Sequence, residues 1–88
     1  MAEPKISAQV SVYPLRQERL TPAIEAVKAA LEAHGLSAEV GAMSTHVTGG
    51  ATSLFAALGE AFVRAAATGD VVMTITVSNS CPISEAAQ

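Results

Sequence analysis

At 88 residues, with 50% hydrophobic and 15% charged content, the chain is sized for a single domain and is too apolar to remain disordered. A net charge of −3 and five scattered basic residues, Lys5, Arg16, Arg19, Lys28 and Arg64, exclude the concentrated positive surface that a nucleic-acid backbone requires. No apolar run approaches the roughly 20 residues needed to cross a bilayer, and the opening MAEPKISAQV has neither the charged nor the hydrophobic region of a secretion signal.

The expectation is a cytoplasmic protein without membrane insertion. Cys81 is the sole cysteine, so an internal disulfide and a cysteine-based zinc cluster within one chain are both excluded. A chain of this size buries only about 60–65% of its unfolded surface. Contact between copies would supply further apolar burial, and a homodimer or higher oligomer is expected.

From Ile6 to Tyr13 the residues alternate, Ile6, Ala8, Val10 and Val12 against Ser7, Gln9, Ser11 and Tyr13, the period-2 pattern of a half-buried strand. Pro14 ends it, and Leu15 to Leu20 reads as a loop. Thr21-Pro22 then supplies a helix N-cap followed by proline at the first helical position. Ile24, Val27, Lys28 and Leu31 recur at helical spacing, and Gly35 after His34 provides the left-handed stop.

Leu36, Ala38, Val40 and Ala42 alternate with Ser37, Glu39, Gly41 and Met43, predicting a second strand. Ser44 to Thr48 is a third, joined to it by a hairpin turning near Gly41 to Ser44, with the register across the turn left open. Gly49-Gly50 is predicted to break that strand, with Thr52 or Ser53 capping a second helix whose buried stripe is Leu54, Leu58, Ala61, Phe62 and Ala65. Gly69-Asp70 closes the helix. The last strand runs from Val71 to about Ser78 with the same alternation, and Pro82 ends regular structure before a loose tail, Ile83 to Gln88.

The order strand-helix-strand, twice over, predicts an α+β domain: ferredoxin-like βαββαβ, a four-stranded antiparallel sheet with two helices on one face and strands one and three central. One domain spans 1–88, with an ordered core over about 5–82. Ile6, Val10, Leu36, Val40, Met73 and Ile75 are predicted to meet Ile24, Leu31, Leu54 and Phe62 in the core. The opposite face then carries Ser7, Gln9, Ser11, Tyr13, Glu39, Met43, Thr74, Thr76 and Ser78. Hydroxyls, one carboxamide and one carboxylate, without Lys or Arg, suit either a solvated sheet face, a wet interface between copies, or a pocket for a small polar ring.

Three stretches, AQVSVYPL (8–15), STHVTGG (44–50) and VMTITVSNSCP (72–82), together resemble the YkoF-related family of thiamine and hydroxymethylpyrimidine binders. The resemblance implies a ferredoxin-like domain that binds the pyrimidine half of thiamine without catalysis, in support of uptake or salvage. Some relatives carry two such domains in tandem, a pairing that a homodimer of this chain can replace.

A 4-aminopyrimidine offers a ring-nitrogen acceptor, an amine donor and an apolar methyl. Glu39 can meet the amine and a ring nitrogen, Gln9 and Ser11 can complete the edge, and Tyr13 or Met43 can cover the ring. Thr45 and Ser78 join the candidates because they lie in the resembling stretches, although parity also allows Thr45 to face the helices. If it does, the pocket can lie between helix and sheet, leaving the open face as an interface. Glu39 has a plainer alternative as a solvated edge-strand charge.

His46, without a second His or a Cys nearby, reads as an ordinary polar strand residue, and His34 as a helix-terminal one. Cys81 lacks the partner of a nucleophile, and Gly49-Gly50 lacks the lysine of a phosphate loop. No catalytic residue, metal site or cofactor is expected, only a ligand. Two other classes stay open: a small dimeric isomerase or monooxygenase using Glu39 or His46, and a regulatory module whose open face binds another protein.

Overall fold

The computed structural model describes residues 3–16, 19, 21–41 and 44–80. The predicted residues Met43, Cys81 and Pro82, and the tail from Ile83, lie outside them. The elements follow in the order β1 (Lys5–Pro14), α1 (Thr21–Ala33), β2 (Ser37–Val40), β3 (Thr45–Gly50), α2 (Ala51–Ala66) and β4 (Val71–Ser78). The strands form one antiparallel sheet in the order β2-β3-β1-β4. This is the ferredoxin-like α+β arrangement, with the first and third strands central as the crossover rules require.

Helix α1 begins at Thr21-Pro22 and ends on the expected glycine. Gly35 takes φ +77°, its N–H donates to the Glu32 carbonyl at 2.9 Å, and the Leu36 N–H reaches back to the Leu31 carbonyl at 3.1 Å. These two bonds are a Schellman stop, which turns the chain straight into β2. The hairpin between β2 and β3 closes where expected, with the Gly41 N–H donating to the Ser44 carbonyl at 2.7 Å.

Two local expectations fail. Gly49 and Gly50 do not break β3; they pair with Ile6 and Lys5 inside the ladder. Gly49 lies on the helix side, where a Cβ would stand 2.5 Å from Leu36 Cδ2, so its absence admits that side chain. The cap of α2 is Gly50, which contributes no side-chain bond. In place of a Thr52 or Ser53 hydroxyl, the Glu3 carboxylate accepts from the Ser53 N–H at 3.4 Å, placing a negative charge at the positive helix end.

The core lies between the sheet and the helix pair. Ile6, Ala8 and Val10 of β1, Val47 of β3, Ala23, Val27, Ala30 and Leu31 of α1, and Leu54, Ala57, Leu58, Ala61 and Ala65 of α2 are buried. Small alanines let the helices approach closely, and Leu31 and Leu54 supply the bulk. Ile24 is half-buried and Lys28 exposed, so the α1 stripe is rotated toward Ala23 and Ala30.

Leu36 and Met73 pack at the margin of the core. Three of the predicted core residues are exposed: Val40 by 46%, Ile75 by 40% and Phe62 by 44%. Val40 and Ile75 have the right parity, but they sit on the two edge strands, which two helices are too narrow to cover. Phe62 lies on the flank of the α2 stripe, where Ala57 takes the buried position.

The backbone bonding pattern determines what each strand presents. The Leu15 N–H donates to the Asp70 carbonyl at 2.7 Å, continuing the β1–β4 register by one pair. Hydrogen-bonded and non-bonded pairs alternate along an antiparallel ladder. The even-numbered residues of β4 therefore point their backbone groups toward β1, and Val71, Met73, Ile75 and Val77 point theirs away from the sheet.

Candidate functional site

The helix-free face is assembled by register. Cross-strand partners share a face, and the pairings Glu39 with His46, His46 with Gln9, and Gln9 with Thr76 place these four side chains in one row across all four strands. Flanking it is a row of hydroxyls, Ser37, Thr48, Ser7 and Ser78. On the other flank Ser11 pairs with Thr74 and, beyond it, Tyr13 with Val72.

Pair type sets the spacing within the central row. The Ala51 N–H donates to the Pro4 carbonyl, which makes even-numbered β1 residues the bonded partners of β3, so Gln9–His46 and Ser7–Thr48 are non-bonded pairs. Such pairs bring Cα atoms to about 4.5 Å, against about 5.5 Å for bonded pairs such as Glu39–His46. The short contact between the Ser7 and Thr48 hydroxyls, 3.2 Å, agrees with this. Ser7 is only 3% exposed, and the hydrogen bond satisfies a hydroxyl that would otherwise be costly to bury.

His46 is held in place, its Nε2 lying 3.0 Å from Ser44 Oγ at the hairpin. Glu39 is exposed on the short edge strand and Gln9 is exposed on the central one. Among the described residues Lys5, at the start of β1 and four residues from Gln9, is the one Lys or Arg at a strand position of this face, so within the central row the carboxylate meets donors only from neutral groups or from the imidazole. Among the described residues no group of three or more His, Cys, Asp or Glu is placed to hold a metal ion, and no helix is long and apolar enough to cross a membrane.

The sequence-derived candidates divide accordingly. Gln9 and Glu39 share the central row, Ser11 and Ser78 lie one row to either side, and Tyr13 stands four residues from Gln9, about 13 Å along the strand. Thr45 is on the other face, 5% exposed against the helices, because Val10 and Val40 are its partners; it is separated from the rest by the thickness of the sheet. Met43 is outside the described residues.

His46 was the residue sequence reasoning set aside. The alternation Ser44-His46-Thr48 carries the signal, but it becomes decisive only when the hairpin register fixes which side of β3 faces the helices. A second ionic group lies away from this face: His34 Nε2 donates to Glu60 Oε1 at 3.0 Å, and Arg64, one helical turn on, donates to the same carboxylate. The His34 bond, aided by the charge of Arg64, holds the Glu60 carboxyl below its ordinary pKa against a smaller opposing effect of desolvation.

Comparison with solved structures yields the same architecture. The chain resembles the hypothetical protein MJ1052 of Methanocaldococcus jannascii (TM-score 0.77, 23% identity, 85% of this chain and 79% of that one). It is also similar to a candidate thiamine biosynthesis/salvage protein, TM0486 of Thermotoga maritima (0.75, 21%, 85% and 83%). Protein SP2199 of Streptococcus pneumoniae is similar as well (0.76, 25%, 84% and 84%). No curated protein matches. The family described as thiamine-binding protein matches over residues 8–80, a span that runs from Ala8 in β1 past the end of β4. With a match of that extent, the chain belongs to the thiamine-binding protein family.

Proposed function

We propose that the protein binds thiamine or its hydroxymethylpyrimidine moiety without transforming it, in the cytoplasm, in support of pyrimidine uptake or salvage, and that it does so as a homo-oligomer. The observation that carries this reading is the Glu39–His46–Gln9–Thr76 row on the helix-free face. Adjacent strands are about 4.8 Å apart, so a substituted six-membered ring laid across the row spans two or three strands. Glu39 accepts from the exocyclic amine, the Gln9 amide donates to a ring nitrogen, and the imidazole of His46 lies beneath the ring. Ser11 and Ser78 border this position, and Tyr13 stands one row beyond Ser11.

Thermal denaturation with thiamine, hydroxymethylpyrimidine and the isolated thiazole tests the reading. A ligand at about 100 times its Kd adds about 2.7 kcal/mol, and each kcal/mol raises Tm by about 4–8 °C in a domain of this size. The pyrimidine and thiamine are expected to raise Tm by roughly 10–20 °C and the thiazole to leave it unchanged. No shift with millimolar pyrimidine refutes the proposal.

The Ser44–His46 contact beside Glu39 favours one second reading, an enzyme that activates a hydroxyl through a base. Chromatography of the ligand after incubation separates the two, since a binder returns it unaltered.

A further inference from the structure

We infer that the ligand of the helix-free face carries a phosphate monoester, held beyond its ring by Lys5 and the hydroxyl row. The inference rests on the proposed function and adds the class of ligand, a phosphorylated one, and the residues that select it.

The chemistry of this face changes along β1. Gln9 stands in the central row, Ser7 in the hydroxyl row and Lys5 at the start of the strand, at steps of about 7 Å. Glu39 gives the central row a carboxylate at the β2 edge, and two steps along β1 from Gln9 the face ends in an ammonium. A ligand lying along β1, with its amine on the central row and an anion beyond the ring, meets both charges.

The hydroxyls between them have protons to give. Ser7 Oγ and Thr48 Oγ1 lie 3.2 Å apart. Ser78 Oγ and Ser80 Oγ lie 3.3 Å apart, and the Ser80 N–H donates to Ser78 Oγ at 3.2 Å. A hydrogen bond between two hydroxyls uses one of their two protons, so each pair keeps one O–H for an outside acceptor. Ser7 is buried and Thr48 exposed, and the arrangement in which Ser7 donates leaves the Thr48 proton facing outward.

Lys5 is the cation in reach of these donors. It is exposed, and its cross-strand partner is Gly50, so no side chain stands opposite it. Arg16 pairs with Asp70 and Arg64 with Glu60, whereas among the described residues Lys5 makes no ion pair. Two carboxylates bear on the position. Glu39 is on β2, two strands from β1, and Glu3 accepts from the Ser53 N–H at the start of α2.

A phosphate monoester carries about −1.5 to −2 charges at pH 7 and three acceptor oxygens, and an ammonium with hydroxyl donors meets it through charge-assisted bonds. The free alcohol, with a single oxygen, leaves most of these donors to water. The phosphate has two possible positions on the ligand. On the pyrimidine's hydroxymethyl arm it lies over the hydroxyl row, within reach of the four-carbon stem of Lys5. On the thiazole arm of thiamine it lies nearer the lysine itself.

Titration calorimetry of hydroxymethylpyrimidine, its phosphate monoester, thiamine and thiamine monophosphate tests the inference on wild type and Lys5→Met, which keeps the stem and removes the charge. The ratio of alcohol Kd to ester Kd is expected to be about ten in wild type and about one in Lys5→Met. Which of the two esters shows the ratio identifies the arm that carries the phosphate. Raising salt from about 0.1 to about 1 M shortens the screening length from about 10 to about 3 Å and is expected to shrink the wild-type ratio. Binding of the alcohols with no gain from either phosphate, or a gain that survives Lys5→Met, overturns the inference and leaves the pyrimidine reading standing. Binding of none of the four overturns both.

Discussion

Under the proposed function, replacing Glu39 by Gln is expected to separate ligand recognition from folding because of where the side chain stands. Glu39 is exposed at the sheet edge, away from the buried core, and exposed substitutions of this kind change stability by no more than about 0.5 kcal/mol. The amide keeps the shape and one acceptor oxygen but loses the charge. A hydrogen bond to a charged group contributes about 1.5–3 kcal/mol, against about 0.5–1.5 kcal/mol for a neutral one. Solvent at this open edge favours the low end of the difference, about 1–1.5 kcal/mol, which is a tenfold weakening at about 1.4 kcal/mol per decade.

Calorimetric titration of hydroxymethylpyrimidine into wild type and E39Q is expected to show that tenfold rise in Kd with unaltered stoichiometry, while urea midpoints coincide. Equal Kd values refute the pairing of the carboxylate with the pyrimidine amine. A shifted urea midpoint refutes the placement of Glu39 outside the folding energetics.

Leu31→Ala and Val63→Ala test the packing. Leu31 is fully buried and Val63 is 67% exposed, so the first is expected to cost about 2–5 kcal/mol and the second about 0.5 kcal/mol or less in urea denaturation; equal losses would contradict the position of the core. The third prediction concerns acid. Because the carboxyl of Glu60 is held below its ordinary pKa by His34 and Arg64, its contribution is present above the unfolded value of about 4.3 and fades as pH falls through the lower folded value. The Tm difference between wild type and Glu60→Gln is therefore expected above the ordinary carboxylate range and to shrink as pH falls below it; a difference that grows as pH falls below that range contradicts the direction.

Much of the fold is legible because its signals are local. The alternation in β1 and β4, proline after Tyr13 and glycine after His34 each act within a few residues, and the structure places the element ends close to them. Exposure of Val40, Ile75 and Phe62 is not local: it depends on how far two helices reach across four strands, which hydrophobic parity does not encode. The role of Gly49 likewise depends on Leu36, thirteen positions earlier, arriving over the same strand.

The candidate site shows the same division. Gln9, Ser11, Glu39 and Ser78 follow from alternation within their own strands. His46 joins them, and Thr45 departs to the other face, only through the pairing of β3 with its neighbours, where a slip of one residue would exchange the two.

The central polar row crosses the strands instead of following one of them. Its members come from four different strands, and each projects from a ladder held by backbone bonds that do not depend on side-chain identity. Glu39, Gln9 and Thr76 are exposed and His46 half-buried, so each position can be exchanged singly at little cost to the scaffold. Under the proposed function, ligand preference can therefore drift by one substitution at a time across positions 39, 46, 9 and 76, with no loop to rebuild and no intermediate that must unfold.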